Sequence, residues 1–328
     1  MATEISLWRQ IQRQNFTRMD RLADFLNLTD AQRSRLWDKP RFVLNLPLRL
    51  AQKIIKQTLD DPLLLQFVPL IDEQSSPSHF MQDPVGDLSA RKCQKFLHKY
   101  HGRALLLATS ACAMHCRYCF RQNFPHETTE SHYEAELAAI CADTSLQEII
   151  LSGGDPLSLS NASLRKLLYS LASCKHLTRI RFHTRFPIGI PERIDEEFLS
   201  LLEEHPQQII FVIHCNHPNE LDLDILDALK KIGRLGIPLL NQSVLLRNIN
   251  DDENTLLQLC QKLIDAGILP YYLHLLDRVE GSAHFEVSEE RGCELIAHLQ
   301  KHLSGYGVPK LVREEAGMPS KTSVLPNS

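Results

Sequence analysis

The 328-residue chain contains no apolar run of the roughly 18 to 20 residues that a membrane-spanning helix needs. It has no large excess of one charge. Lys and Arg number 36 against 40 Asp and Glu, a formal net charge of -4, which leaves no electrostatic footprint for nucleic acid or an anionic membrane. It has no secretory leader, because Met1 to Asp20 is polar, carries several arginines and lacks an apolar core stretch. Its nine cysteines are odd in number and irregularly spaced, which is not the pattern of a disulfide framework. These absences point to the reducing cytoplasm and to small-molecule partners. With 43% hydrophobic and 23% charged residues, the chain has the composition and length for one large α/β domain with a smaller cap.

Three of the cysteines are not scattered. Cys112, Cys116 and Cys119 fall at C-x3-C-x2-C, just after the apolar run Ala104 to Ala108, on a loop leaving a predicted buried strand. Three thiolates hold three irons of a cubane cluster and leave the fourth iron open for chemistry. The alternative is a structural zinc with His115 as fourth ligand, although zinc sites usually present ligands as two separated pairs and no second pair follows. The spacing, with aromatic Tyr118 just before the last cysteine, resembles the radical S-adenosylmethionine (SAM) superfamily. That resemblance implies a [4Fe–4S] cluster whose free iron is chelated by SAM and whose electron splits SAM to give a 5′-deoxyadenosyl radical. The other six cysteines, Cys93, Cys141, Cys174, Cys215, Cys260 and Cys293, read as buried small hydrophobes.

Apolar spacing predicts helices over Ile5 to Asn15, Met19 to Leu26, Asp30 to Leu36 and Leu48 to Thr58, with cap and stop signals at Thr29-Asp30 and Asp60-Asp61-Pro62. From residue 103, strands and helices alternate. Strands are predicted at Arg103 to Ala108, Glu148 to Ser152, Thr178 to Thr184, Gln208 to Ile213, Leu239 to Leu245 and Leu269 to His274. Apolar strands separated by helices imply a covered parallel sheet. Six such units fit a partial (βα)6 TIM-type barrel, with active-site residues at the C-terminal ends of the strands. The expected division is a helical N-terminal cap over 1–75, the barrel over 76–303 and a C-terminal segment over 304–328. The cap carries no residue types of a reaction centre and reads as packing.

The strand ends carry polar strings. Ser152-Gly153-Gly154-Asp155-Pro156 follows the second, Phe182-His183-Thr184-Arg185 ends the third, and Ile213-His214-Cys215-Asn216 ends the fourth. Asn241-Gln242-Ser243 lies in the fifth and Leu273-His274-Leu275-Leu276-Asp277 ends the sixth. Polar groups there are costly to bury unpartnered and together line one cavity. From Asp83-Pro84-Val85-Gly86-Asp87 to the end, these segments occur in the order found in lysine 2,3-aminomutases, and the chain resembles that family.

The resemblance implies SAM contacts from Gly153, Gly154, Asp155, His214 and Gln242. It implies pyridoxal 5′-phosphate (PLP) on Lys321, whose Lys-Thr context matches the family's Schiff-base lysine, with Lys99 and Arg103 serving the phosphate. It also implies Arg121 on the substrate carboxylate, and Asp277 with Glu314 or Glu315 on the far ammonium group. Read alone, Lys321 is an ordinary solvated lysine and Asp277 is equally a solvated acid paired with Arg278. Gly-Met-Pro-Ser before Lys321 departs from the family's run of glycines, and Arg185 matches a family arginine with no role assigned.

The expected activity is conversion of α-lysine to β-lysine, an isomerase reaction fed by an electron donor such as flavodoxin or ferredoxin. The chain stops at Ser328, without the fermentative enzymes' extension. It looks like the short bacterial form that makes (R)-β-lysine for elongation factor P and its lysyl-transferring enzyme. Two rivals are a PLP-independent radical SAM enzyme on the same barrel and a non-catalytic metal-binding regulator.

Overall fold

The computed structural model describes residues 5–125 and 132–325. Five short helices open the chain: α1 (Leu7–Gln12), α2 (Met19–Phe25), α3 (Asp30–Arg33), α4 (Leu48–Lys53) and α5 (Pro62–Phe67). Four lie within the predicted spans. Asp61 caps α5, accepting from the N–H groups of Leu63 and Leu64, with Pro62 in the first turn where its missing N–H costs nothing.

Among the described residues, ten strands form one sheet in chain order. They are β1 (Arg91–Cys93), β2 (Phe96–Tyr100), β3 (Arg103–Thr109), β4 (Glu148–Gly153), β5 (Arg179–Thr184), β6 (Gln208–Ile213), β7 (Leu239–Val244), β8 (Leu269–His274), β9 (Lys310–Arg313) and β10 (Thr322–Ser323). Strands β3 to β9 are parallel, while β1, β2 and β10 add antiparallel edges. Parallel neighbours need crossovers. These are α6 (Glu134–Ala142), α7 (Asn161–Ala172), α8 (Phe186–Gly189) with α9 (Glu196–Glu203), α10 (Leu223–Gly233), α11 (Glu253–Asp265) and α12 (Glu289–His302). The result is a partial TIM-type barrel whose strand C-termini share one rim.

Sequence dictates these crossovers locally. Ser160, Asp195, Asp252 and Ser288 each cap the following helix by accepting a backbone N–H three residues on. Leu164, Leu167, Leu168 and Leu171 of α7, and Ile225, Ala228, Leu229 and Ile232 of α10, are buried at i, i+3, i+4 and i+7. Each such leucine contributes about 1.5–3 kcal/mol by leaving water.

The N-terminal helices have no core of their own. Trp8, Leu22, Leu50 and Phe67 belong to the same buried cluster as Leu106, Leu151, Phe182 and Phe211 of the barrel. At the other end, β9 and β10 lie beyond residue 303 yet continue the sheet. The cysteine expectation is corrected: Cys93 and Cys293 are only half-buried, and Cys141 and Cys174, read as inert hydrophobes in a chain without disulfides, are bonded to each other between α6 and the end of α7. Their spacing of 33 residues hid the pairing, because it arises only when α6 and α7 pack side by side. No helix among the described residues is long and apolar enough to cross a membrane.

Candidate active site

The loop after β3 carries Cys112, Cys116 and Cys119. Their sulfurs are close enough to influence one another: the Cys112 thiol is pushed well up by burial, then by Asp155 and the other two cysteines. Cys119 is pushed up to about 11 by burial and Cys116. No three His, Cys, Asp or Glu side chains among the described residues converge as on one metal ion, whereas a cubane takes each thiolate on a separate iron. His115 is engaged elsewhere. Its Nδ1 lies 2.8 Å from the Val43 carbonyl oxygen and its ring stacks on Phe42 with centroids 4.2 Å apart. The donor set therefore fits a three-cysteine cluster better than zinc with His115.

This loop is gripped by the N-terminal segment. Asn15 Nδ2 donates to the Ala113 carbonyl at 2.8 Å, and Asn45 Nδ2 donates to that of Cys112 at 3.2 Å. The N–H groups of His115 and Arg117 donate to Asn45 and Gln66 carbonyls. The Arg117 guanidinium, 1% exposed, makes a two-pronged pair with Glu73 and donates to the Phe42 carbonyl at 2.6 Å. Sequence reasoning missed these roles of Asn15, Asn45, Gln66 and Glu73. No local motif signals them, since each contact spans 44 or more residues.

Gly153, Gly154 and Asp155 stand at the β4 end. Gly153 has φ +120°, and a side chain on Gly154 would press into the backbone of Ser110 and Ala111. The glycines thus admit the cluster loop itself. Asp155 is buried, and its carboxylate accepts from Thr184 Oγ1 at 2.7 Å and from the N–H groups of Leu157, Arg185 and Phe186 at 2.8–3.0 Å. Burial raises its pKa against these bonds. They tie the β4 end to the β5 end, leaving the carboxylate little capacity for a ligand.

Next along the rim, His183 Nδ1 lies 3.2 Å from His214 Nε2. Burial, then the charges of Arg185, Arg121 and Lys321, push His214 down to about 3. Burial drives His183 and His274 well down as well. Burial thus favours the neutral imidazole in all three, and the Nε2 atoms of His183 and His274 are buried without partners among the described residues, so either could accept or donate to a bound molecule. Gln242 on β7 sits opposite Tyr272 of β8.

At the far side, charged groups form a continuous chain. Lys321 Nζ lies 2.7 Å from Glu314 Oε2, and Glu314 Oε1 lies 3.0 Å from Lys99 Nζ. Lys99 also pairs with Asp87 at 2.6 Å, and the other Asp87 oxygen takes Arg121 Nε at 2.6 Å. Arg121 Nη1 reaches Ser152 Oγ at 3.3 Å. Asp87, given no role by the sequence reading, is the junction. Burial works to raise the Glu314 carboxyl, but the Lys321 and Lys99 charges outweigh it and hold the group well below its usual range.

The β9–β10 hairpin pairs Arg313 with Thr322, which sets Glu314 opposite Lys321, and Gly317 takes the left-handed turn at φ +81°. Glu315 instead accepts from Thr322 Oγ1, so Glu314 is the acid facing the site. Arg103 lies 4.6 Å over the Tyr100 ring. Arg278 pairs with Glu286, not with Asp277. The Asp277 carboxylate has no hydrogen-bond partner among the described residues, and burial together with Glu314 pushes it up to about 7.

Comparisons with known proteins agree with this architecture. Residues 101–186 match the model of a 4Fe-4S single cluster domain. The chain is 43% identical to an L-lysine 2,3-aminomutase of Haemophilus influenzae, over 86% of this chain and 84% of that one. It is 42% identical to that of Escherichia coli, over 92% and 90%. A radical SAM methyltransferase from Sphaerobacter thermophilus shares the fold at a TM-score of 0.50 and 16% identity, over 66% of this chain and 68% of that chain.

Proposed function

Because this chain belongs to the lysine 2,3-aminomutase family, we propose that it converts L-lysine to β-lysine with a [4Fe–4S] cluster, SAM and PLP. The observation that carries the reading is the rim itself. A loop of three cysteines stands at the end of β3, and beyond the end of β8 the Asp277 carboxylate, without a hydrogen-bond partner among the described residues, lies near Lys321 and Glu314 of the β9–β10 hairpin. When bound, the cluster with SAM supplies the one-electron chemistry that removes and returns hydrogen, and PLP carries the amino group between carbons.

The chain's own residues do the rest. Cys112, Cys116 and Cys119 hold the cluster. Gly153, Gly154, His214 and Gln242 line the SAM side, and Asp155 acts there through the backbone it fixes. Lys321 serves PLP through Nζ. That nitrogen pairs with the Glu314 carboxylate 2.7 Å away, a contact that would have to open where PLP is held. Lys99 and Arg103 serve the phosphate, and the planar fork of Arg121 suits a carboxylate. Asp277, whose carboxylate has no hydrogen-bond partner among the described residues, receives the substrate's ε-ammonium group with Glu314 beside it. The helices before residue 76 hold the cluster loop, the barrel carries the rim, and the segment from 304 brings Lys321.

The helical N-terminal region accords with the short bacterial form, and on that ground the product is assigned as (R)-β-lysine for elongation factor P. A flavodoxin- or ferredoxin-type donor and a cytoplasmic setting complete the reading. Anaerobic incubation with L-lysine, SAM, PLP and a strong reductant should yield (R)-β-lysine on chiral chromatography. Another amino acid product, or none from loaded enzyme, contradicts the assignment.

A further inference from the structure

Arg185, the residue after β5, is 5% exposed. A guanidinium so far from water is costly unless its donors are matched, and its partners are specific. Nη2 donates to Glu220 Oε2 and Gln66 Oε1, both at 2.7 Å. Nη1 donates to the Tyr118 hydroxyl and, at 3.0 Å, to the sulfur of Cys116. The plane lies over the Phe67 and Tyr118 rings at 4.6 and 5.6 Å. Glu220 is held in turn by the N–H groups of Asn216 and His217, both at 2.9 Å. Segments from α5, the cluster loop and the β6 end thus fix one N–H against one cysteine. Among the described residues, Nε alone has no partner.

We propose that Arg185 tunes the cluster held by Cys112, Cys116 and Cys119: its N–H to the Cys116 sulfur raises the reduction potential, and Glu220 is the counter-charge that limits the rise. The inference rests on the cluster reading of the three cysteines. One-electron reduction by an external low-potential donor adds a negative charge shared by the ligand sulfurs. A donor aimed at one sulfur stabilises that form more than the oxidised one. Burial keeps water from competing for the bond. Because Glu220 takes Nη2 while the sulfur takes Nη1, the cation is nearer the sulfur than its counter-charge is, and the two halves of the pair shift the potential in opposite directions.

The test is an EPR-monitored redox titration of anaerobically reconstituted protein without SAM, so that turnover plays no part. At the wild-type midpoint, Arg185→Gln should lower the ratio of reduced to oxidised cluster roughly tenfold, the scale of one charge-assisted hydrogen bond. That equals about 59 mV for a one-electron couple. Glu220→Gln should raise the ratio. If Arg185→Gln loads no cluster, Arg185→Lys, which keeps the charge but loses the fork, should still lower it. A purely structural arginine would change iron content and leave the midpoint of the retained cluster alone. Unchanged midpoints, or shifts of the same sign at Arg185 and Glu220, overturn the proposal. Wild-type protein that binds no iron and sulfide overturns the cluster reading and this inference with it, whereas a loaded wild type with unmoved variants overturns only the role of Arg185.

Discussion

Replacing Glu73 with alanine removes the carboxylate that faces Arg117 inside the protein, where the two side chains are 4% and 1% exposed. The guanidinium is left with one strong acceptor, the Phe42 carbonyl at 2.6 Å. Breaking a buried pair this way costs about 3–5 kcal/mol, because a desolvated charge loses its counter-ion. Folded domains have only about 5–15 kcal/mol in total, so the loss is large. It falls on the cluster loop, since Arg117 lies between Cys116 and Tyr118. Converting both partners to apolar residues, Glu73→Leu with Arg117→Met, removes charge and counter-charge together and should recover most of the stability. Urea unfolding under anaerobic conditions, with iron content measured in parallel, reads both quantities. The reasoning fails if Glu73→Ala loses less than about 1 kcal/mol, the range of an exposed pair, or if the double variant is as unstable as the two singles summed.

Further outcomes follow from the same geometry. Asp277→Asn should weaken lysine binding by roughly 10- to 100-fold, the scale of one hydrogen bond between charged groups, and leave SAM affinity unchanged; calorimetric titration with each ligand separates the two, and equal losses argue for a structural acid. With its pKa pushed up to about 7, Asp277 keeps its proton in the folded state where the unfolded chain, at about 3.8, has lost it. Its contribution to stability is therefore present below about 3.8 and lost as pH rises to about 7. Asp277→Asn should gain stability relative to wild type as pH rises through that window, and wild-type lysine affinity should increase as pH passes upward through about 7; flat profiles in both would count against the raised acid. Lys321→Ala should lose the visible absorbance of a PLP Schiff base while keeping the iron–sulfur spectrum, and a retained Schiff base would move the PLP site elsewhere. Alanine at Cys112, Cys116 or Cys119 should each abolish reductive SAM cleavage, so survival of full cleavage in any one removes that residue from the ligand set.

Much of the barrel was legible because its strands carry apolar runs or alternations and are flanked by helix caps. β6 and β8 begin and end where hydrophobicity placed them, at Gln208–Ile213 and Leu269–His274. The strands that escaped notice are short or half polar. β1 has three residues, β10 has two, β9 reads Lys-Leu-Val-Arg and β2 reads Phe-Leu-His-Lys-Tyr, so none carries enough pattern to stand out from a loop. The site divides in the same way. Strand-end polar strings were visible one by one, but their use was not. The acceptors of Asp155 are spent on neighbouring backbone, and the glycines before it admit the cluster loop. Asp87 turned out to be the junction between Lys99 and Arg121. The grip of Asn15, Asn45, Gln66 and Glu73 on that loop lay beyond a sequence reading, because ordinary polar residues acquire such roles only when distant segments meet.

The claim beneath all of this is that the rim of this barrel moves an amino group from C2 to C3 of lysine. Incubating the anaerobically reconstituted enzyme with L-lysine labelled with nitrogen-15 at the α-amino group and carbon-13 at C3 tests it by NMR. A one-bond coupling between the two labels should appear in the product as nitrogen arrives at C3; nitrogen that stays on C2 in protein loaded with cluster and PLP contradicts the account.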